Sequence, residues 1–395
     1  MTTPLITWTD AARASAFSQW LHAVAPQHAL LPDTVRPASA DASFRRYFRV
    51  DAEPGHTNDA KSYIIMDAPP ALENCRPFVD IARLIHDAGL SAPEVLAWDE
   101  LQGFMLLSDL GSQTMMEVIA PPEGPDAVAV ATPAHHALYM AAIDTLIGWQ
   151  LASRPGVLPP YDDALLSREL ALFPEWYVAK HRGIAVDAGL QGKLSGLFEQ
   201  IKASNLNALD GARVFVHRDF MPRNLIAPTL VASRTTLPPQ GANFPRGGPS
   251  ENFMSHTTRA EPRLGVLDFQ DAVYGPITYD IASLLRDAFL SWEEDFVLDV
   301  TVRYWQKARA AGLPVGDDFG EFYRAVEWMG LQRHLKVLGI FARLTLRDGK
   351  PKYLADTPRF IRYVRNTAAR YRQLGPLMVL LDEIEGNETR IGYTF

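Results

Sequence analysis

The sequence predicts a bilobal α+β protein, with a small β-rich N-lobe over residues 1–108 and a larger, mainly helical C-lobe over residues 109–395. Three observations lead there. Before Ser108 the apolar residues fall in short strand-like runs divided by turns. From about Met116 onward helical periodicity dominates. Inside that helical region the apolar runs "VFVHRDF" and "LGVLDFQD" read as a strand pair, and both stop on polar residues that packing does not call for.

The elements follow in chain order. "TDAARASAFSQWLHAV" opens on a Thr/Asp cap and carries apolar residues at helical spacing. "SFRRYFRV" and "KSYIIMDAP" are strands split by the turn-rich "DAEPGHTNDA". "PFVDIARLIHDAGL" is a helix with Gly89 near its C-terminal end. "SAPEVLAWDE" and "GFMLLSDLG" add two strands and bring the chain to a hinge near Ser108–Gly111. Residues 227–262 are loaded with Pro, Gly, Ser and Thr without a period, so they read as a mobile insertion joining two strands of a hairpin. Trp149, Trp176 and Trp328 are expected in the core.

Composition narrows the class. Of the residues 47% are apolar and 21% charged, an ordinary globular balance, and the formal charge of -8 argues against a dedicated nucleic-acid binder. A single cysteine, Cys75, excludes an intrachain disulfide and a thiolate metal cluster and suits a reducing cytosol. The N-terminus lacks the basic-then-apolar order of a signal peptide, and no apolar run approaches the roughly 18 residues that span a bilayer. The expectation is a cytoplasmic protein with no nucleic-acid, membrane or protein partner implied. The basic stretch from Arg333 to Arg372 is read first as a solvated helical surface.

The polar residues after the two C-lobe strands carry the chemistry. His217, Asp219 and Asn224 fit H-x-D-x(4)-N, and the second strand ends at Asp268. Metal-assisted phosphoryl transfer from ATP needs this layout, because its loose transition state asks the protein for position and charge neutralisation more than for covalent chemistry. Asp219 can accept the proton of a substrate hydroxyl, while the Asn224 amide oxygen and the Asp268 carboxylate suit magnesium, a hard cation. An amide beside a carboxylate avoids a further anion: two like charges about 4 Å apart cost on the order of 4 kcal/mol at an effective dielectric near 20. His217 is assigned a structural, hydrogen-bonded role.

"HRDFMPRN" followed by "LDFQDAVYGPITYDIASLLRD" resembles the aminoglycoside phosphotransferase branch of the protein-kinase-like superfamily. That resemblance implies Asp219 as catalytic base, Asn224 and Asp268 as magnesium ligands, and Asp280 as a buttress of the catalytic loop. It also implies a kinase N-lobe before Ser108, with backbone groups near Ser108 and Leu110 meeting adenine. "DASFRRYFRV", "MDAPP", "LDFQDAVYGPITYDIASLLRD" and "LQRHLKVLGIFARL" together are similar to the anomeric kinases of N-acetylmuramate and N-acetylglucosamine in bacterial cell-wall recycling. The alternatives are another small-molecule kinase of this fold, for an aminoglycoside, an amino alcohol or a different sugar, and a nucleotide-binding pseudokinase.

The sequence departs from the pattern in the N-lobe. Kinase lobes place a lysine on the third strand to hold phosphates. "YIIMD" has Met66 there, Lys61 only starts the strand, and the phosphate-covering loop has Ala42 and Ser43 in place of a glycine cluster. Arg45 or Arg46 is expected to supply the charge, with Glu73 or Asp80 as candidate partners. For the sugar, Asp271, Arg286 and Arg333 are the expected contacts, with neighbouring Asp287, and with His334 and Lys336 able to meet an N-acetyl or lactyl group.

Overall fold

The computed structural model describes residues 6–8, 10–40, 44–54, 61–228 and 263–386. The N-lobe is one five-stranded antiparallel sheet in the order β1-β2-β3-β5-β4. Its strands are β1 (Leu30–Ala40), β2 (Arg46–Ala52), β3 (Ser62–Asp67), β4 (Val95–Asp99) and β5 (Phe104–Ser108). Strand β1 is absent from the sequence reading, because "LLPDTVRPASA" carries two prolines and no alternation. It survives as an edge strand, where a missing N–H need not break a ladder, and its register shifts around those residues.

Alternation along the strands divides the sheet into two faces. Phe48, Val50, Ile65, Phe104 and Leu106 pack against Phe17, Trp20 and Leu21 of α1 (Ala11–His28), a helix capped by the Asp10 carboxylate. Met66, Met105 and Leu107 face the other way, against Phe78 and Ile81 of α2 (Arg76–Asp87), in an apolar cluster that continues into the C-lobe. The second face therefore roofs the interlobe cleft.

The C-lobe begins with α3 (Met115–Ile119), α4 (Pro133–Leu151) and α5 (Asp163–Leu172), the last running into a π-helical segment, Phe173–His181. After α6 (Ala188–Asn207) come two small antiparallel ladders. Strand β6 (Arg213–Val216) pairs with β9 (Val273–Pro276), and β7 (Leu225–Ile226) with β8 (Gly265–Val266). The β7–β8 pair brackets the Pro/Gly-rich stretch, of which 229–262 lies outside the described residues. Helices α7 (Thr278–Leu285), α8 (Glu294–Ala310), α9 (Phe319–Leu346), α10 (Thr357–Arg370) and α11 (Gly375–Glu385) complete the lobe. Helix α9 is the axle. It packs on α5, α6, α7, α10 and the π-helical segment, and Gly339 lets it approach closely, since a Cβ there would lie 2.4 Å from the Leu172 backbone. Trp149 and Trp328 are buried, and Trp176 is partly buried against the same cluster. No helix among the described residues is long and apolar enough to cross a membrane.

Candidate active site

Strand β6 ends at Val216, and the chain turns into the loop 217–224 through a strained residue: Arg218 sits at φ +77°, a region an L side chain enters only when its surroundings enforce it. The enforcement is visible from two sides. Asp280, wholly buried on the first turn of α7, accepts the backbone N–H of His217 at 2.7 Å and of Arg218 at 3.0 Å. Burial pushes the Asp280 carboxyl up, against the pull of His217 and these two amide bonds. From below, Arg333 on α9 donates to the Arg218 carbonyl at 2.6 Å and to Ser283 Oγ at 2.7 Å.

His217 is buried, and its Nε2 lies 3.0 Å from the Leu267 carbonyl, tying the loop to the chain just before Asp268. Burial lowers its pKa first and foremost, with Asp280 and Asp219 opposing. That is a structural histidine. Asp219 takes part through its backbone, its N–H 3.3 Å from His217 Nδ1, and its side chain is half-buried. Asn224 Nδ2 donates to the Asp219 carbonyl at 2.9 Å and to Asp268 Oδ2 at 3.2 Å, so the three motif residues form one cluster.

These donors fit magnesium. With both Asn224 amide hydrogens committed, its Oδ1 is turned to the opposite side, and Asp268, at φ +62° and held by Gln270 at 2.8 Å, presents its carboxylate from a fixed backbone. Among the described residues no group of three or more His, Cys, Asp or Glu could hold a metal. Two hard oxygen ligands with the remainder from phosphates and water is the arrangement magnesium takes at nucleotide sites. Phe269 connects this corner to the N-lobe, its ring 4.8 Å from Phe78 of α2.

The hinge is built by residues the sequence reading passed over. Arg49 of β2, on the cleft face, makes an ion pair with Asp109 at 2.6 Å, and Ser62 Oγ donates to the same carboxylate at 2.7 Å. Burial raises the Asp109 carboxyl, but the Arg49, Ser62 and Gly111 hydrogen bonds outweigh it and the net shift is downward. Ser108 has its N–H on the Glu94 carbonyl and its Oγ on the Glu94 N–H, both committed within the N-lobe. Leu110 differs. Its backbone amide and carbonyl have no partner among the described residues, and its side chain lies over Gly265, where a Cβ would come within 2.8 Å.

The phosphate side is partly corrected. Ser43 lies outside the described residues. Arg46 alternates to the outer face of the sheet, pairs with buried Asp67 beside Arg13, and lies over the Trp8 ring at 4.0 Å, so it does not point toward the cleft. Arg45 is placed on the cleft side, with its Nη2 3.2 Å from Glu73 in the turn before α2. Met66 is fully buried, Lys61 is exposed at the start of β3, and Asp80 is exposed.

On the acceptor side Asp271 is exposed beside the loop. Arg286 gives both guanidinium nitrogens to Glu294, at 2.9 and 2.8 Å. Arg333, expected on the sugar wall, is instead buried under the catalytic loop, and His334 and Lys336 are buried with it. The basic run on α9 is therefore neither a solvated face nor a sugar wall. Its function is visible at Glu169 on α5, a carboxylate that receives Arg218 at 2.6 Å, Lys336 at 2.9 Å, Tyr161 at 2.6 Å and Gln332 at 2.9 Å. Burial alone would raise Glu169, but Lys336 and Arg218 dominate and hold it at about 2. The sequence reading passed over this anchor, whose one local signal is a glutamate flanked by the apolar residues Leu166 and Leu170.

Residues 34–229 and 250–317 match the phosphotransferase enzyme family. An N-acetylmuramate/N-acetylglucosamine kinase of Neisseria meningitidis is 43% identical over 385 residues, 97% of this chain and 99% of the relative. One of Pseudomonas aeruginosa is 42% identical over 380 residues, 94% and 97% of the two chains. Among solved structures, a choline kinase from Streptococcus pneumoniae superposes with a TM-score of 0.54 at 13% identity, covering 90% of this chain and 99% of that one. An ADP-bound aminoglycoside phosphotransferase gives 0.53 at 13% identity, covering 91% and 99%. The fold is the bilobal, protein-kinase-like one.

Proposed function

This chain belongs to the phosphotransferase enzyme family, and from that premise we propose that it uses ATP to phosphorylate the anomeric C1 hydroxyl of N-acetylmuramate and N-acetylglucosamine, serving bacterial cell-wall recycling in the cytosol. The observation that carries the choice of sugar is 42–43% identity, along nearly the whole chain, to two kinases named for that pair. The Asp219–Asn224–Asp268 cluster supports the reaction type.

The residues divide the work. Leu110 offers adenine an unpartnered amide and carbonyl at the hinge. Arg45 supplies positive charge over the phosphates from the N-lobe side, in place of a strand lysine. Asn224 and Asp268 would hold magnesium, which on binding neutralises charge on the phosphate oxygens. Asp219 orients the sugar hydroxyl in line with the γ-phosphoryl and accepts its proton at Oδ as the new O–P bond forms and the bond from the γ-phosphorus to the β–γ bridging oxygen breaks, releasing ADP. His217, Asp280, Arg333 and Glu169 keep the strained loop in the geometry this requires. Apposition of the lobes removes the water that would otherwise take the phosphoryl.

The test is ADP release from MgATP with N-acetylmuramate, N-acetylglucosamine, N-acetylglucosamine 6-phosphate, kanamycin and choline, with the product assayed for acid lability. Turnover of the first two to an acid-labile phosphate is expected, and Asp219→Asn should lower it by three or more orders of magnitude while ATP binding stays within a few-fold. Turnover of kanamycin or choline alone would move the chain to another acceptor, and a variant keeping a tenth of the activity would remove Asp219 from the role of base.

A further inference from the structure

The two proposed substrates differ in one respect that matters electrostatically. N-acetylmuramate bears a lactyl ether carboxylate at C3, where N-acetylglucosamine has a hydroxyl. A kinase acting on the first sugar gains from a cation two ring carbons away from the reacting C1, near the catalytic loop but outside the line of transfer. The basic residues around the loop can be sorted by whether they are already engaged. Arg218 and Lys336 are held by Glu169, and Arg286 by Glu294. Arg333 donates to Arg218 and Ser283, and Arg359 to Ser291 at 2.9 Å and the Gly124 carbonyl at 2.8 Å.

Arg223 is the exception. It is exposed, sits in the catalytic loop one residue before Asn224, and makes no hydrogen bond or ion pair to any described residue. Its guanidinium rests instead 4.8 Å over the ring of Phe289, which itself packs on Phe341. An aromatic platform orients a guanidinium plane without consuming its donors, so the fork stays open. Asp287, whose Oδ1 accepts the Phe289 N–H at 2.7 Å, lies within the fields of Arg223, Arg333 and Arg359. Asp287 is buried and its Oδ2 has no hydrogen-bond partner among the described residues.

We propose that Arg223, held on Phe289, is the specificity determinant that pairs with the lactyl carboxylate of N-acetylmuramate. The assignment rests on the sugar-kinase reading. It predicts that Arg223→Gln, which keeps a donor but removes the charge and the fork, lowers the ratio of kcat/KM for N-acetylmuramate over N-acetylglucosamine by roughly 10- to 100-fold, the scale of a charge-assisted bidentate pair. Arg223→Lys should recover some of that ratio, since it restores charge without the fork. Steady-state kinetics on both sugars, at saturating MgATP and again across ATP concentrations, provide the readout. A ratio unchanged in Arg223→Gln overturns the assignment while leaving the sugar-kinase reading intact. Equal loss on both sugars with a raised KM for ATP also overturns it, by giving the guanidinium to the nucleotide. Absence of turnover of either sugar by the unaltered protein would overturn the functional reading and the assignment together.

Discussion

Burial lifts the carboxyl of Asp287 to about 6, because desolvation exceeds what the Phe289 amide and the fields of Arg223, Arg333 and Arg359 return. The sign for stability follows from linkage. An acid with a raised folded-state pKa holds its proton in the native protein after the unfolded chain has released it, so stability falls as pH rises from about 4 to about 6. Glu169 is the opposite case. Held at about 2 by Lys336 and Arg218, it contributes stability above its ordinary range and loses that contribution as pH falls from about 4.5 towards 2. Asp287→Asn should therefore gain on the unaltered protein with rising pH, by about 3 kcal/mol between pH 4 and pH 7. Urea unfolding at a series of pH values measures the difference, in which the other titrating groups cancel. A gap that stays flat would mean that Asp287 is not held protonated by its surroundings.

At the scale of elements, Arg45 just before β2 and Arg46 at its first position show how neighbouring residues are sent to different tasks. Arg46 and Arg45 are neighbours in "FRRYF", yet Arg46 lies over Trp8 against buried Asp67 and Arg45 faces Glu73 across the cleft side. The expected outcomes differ accordingly. Arg45→Ala should raise the KM for ATP by about tenfold, as loss of one charged phosphate contact does. Arg46→Ala should leave that KM within about twofold and lower the unfolding free energy by roughly 1–3 kcal/mol, since it strips one partner from a buried carboxylate. Parallel kinetics and denaturation on the two variants check the division. A raised KM in Arg46→Ala alone would reverse it. Helix α9 offers a second instance. Its basic run is strongly hydrophilic in sequence, but the helix is enclosed by α5, α7 and α10, so Arg333 and Lys336 become supports for the loop.

For the whole molecule, the two lobes are joined by the Arg49–Asp109 pair, by Phe78 on Phe269, by the Ser91 carbonyl on Val266 N–H at 2.8 Å, by Arg263 on the Gly89 carbonyl and by a shared apolar cluster, and the proposed nucleotide would lie between them. A ligand bound only by the closed native form stabilises by mass action, about 2.7 kcal/mol at a hundredfold excess over Kd. ATP should therefore raise the Tm more with magnesium than with EDTA. In Asp268→Ala the two shifts should coincide, because the carboxylate proposed to hold the magnesium is gone. A persistent magnesium-dependent increment in that variant would place the metal on other residues.

The sequence alone determined the lobe order, the helical C-lobe and the cluster of Asp219, Asn224 and Asp268, because these follow from periodicity and from residues a few positions apart on one loop or at a strand end. Local signals failed where partners are distant. Strand β1 forms despite its prolines because β2 pairs with it, and nothing in "LLPDTVRPASA" announces that. Glu169 meets Lys336 across 167 positions of chain, and Arg223 meets Phe289 across 66, separations at which spacing carries no information. Which arginine faces the cleft, which is spent beneath the catalytic loop and which stays open for an anion was decided only by tertiary structure, since a guanidinium's availability depends on the carboxylates and carbonyls that packing brings to it.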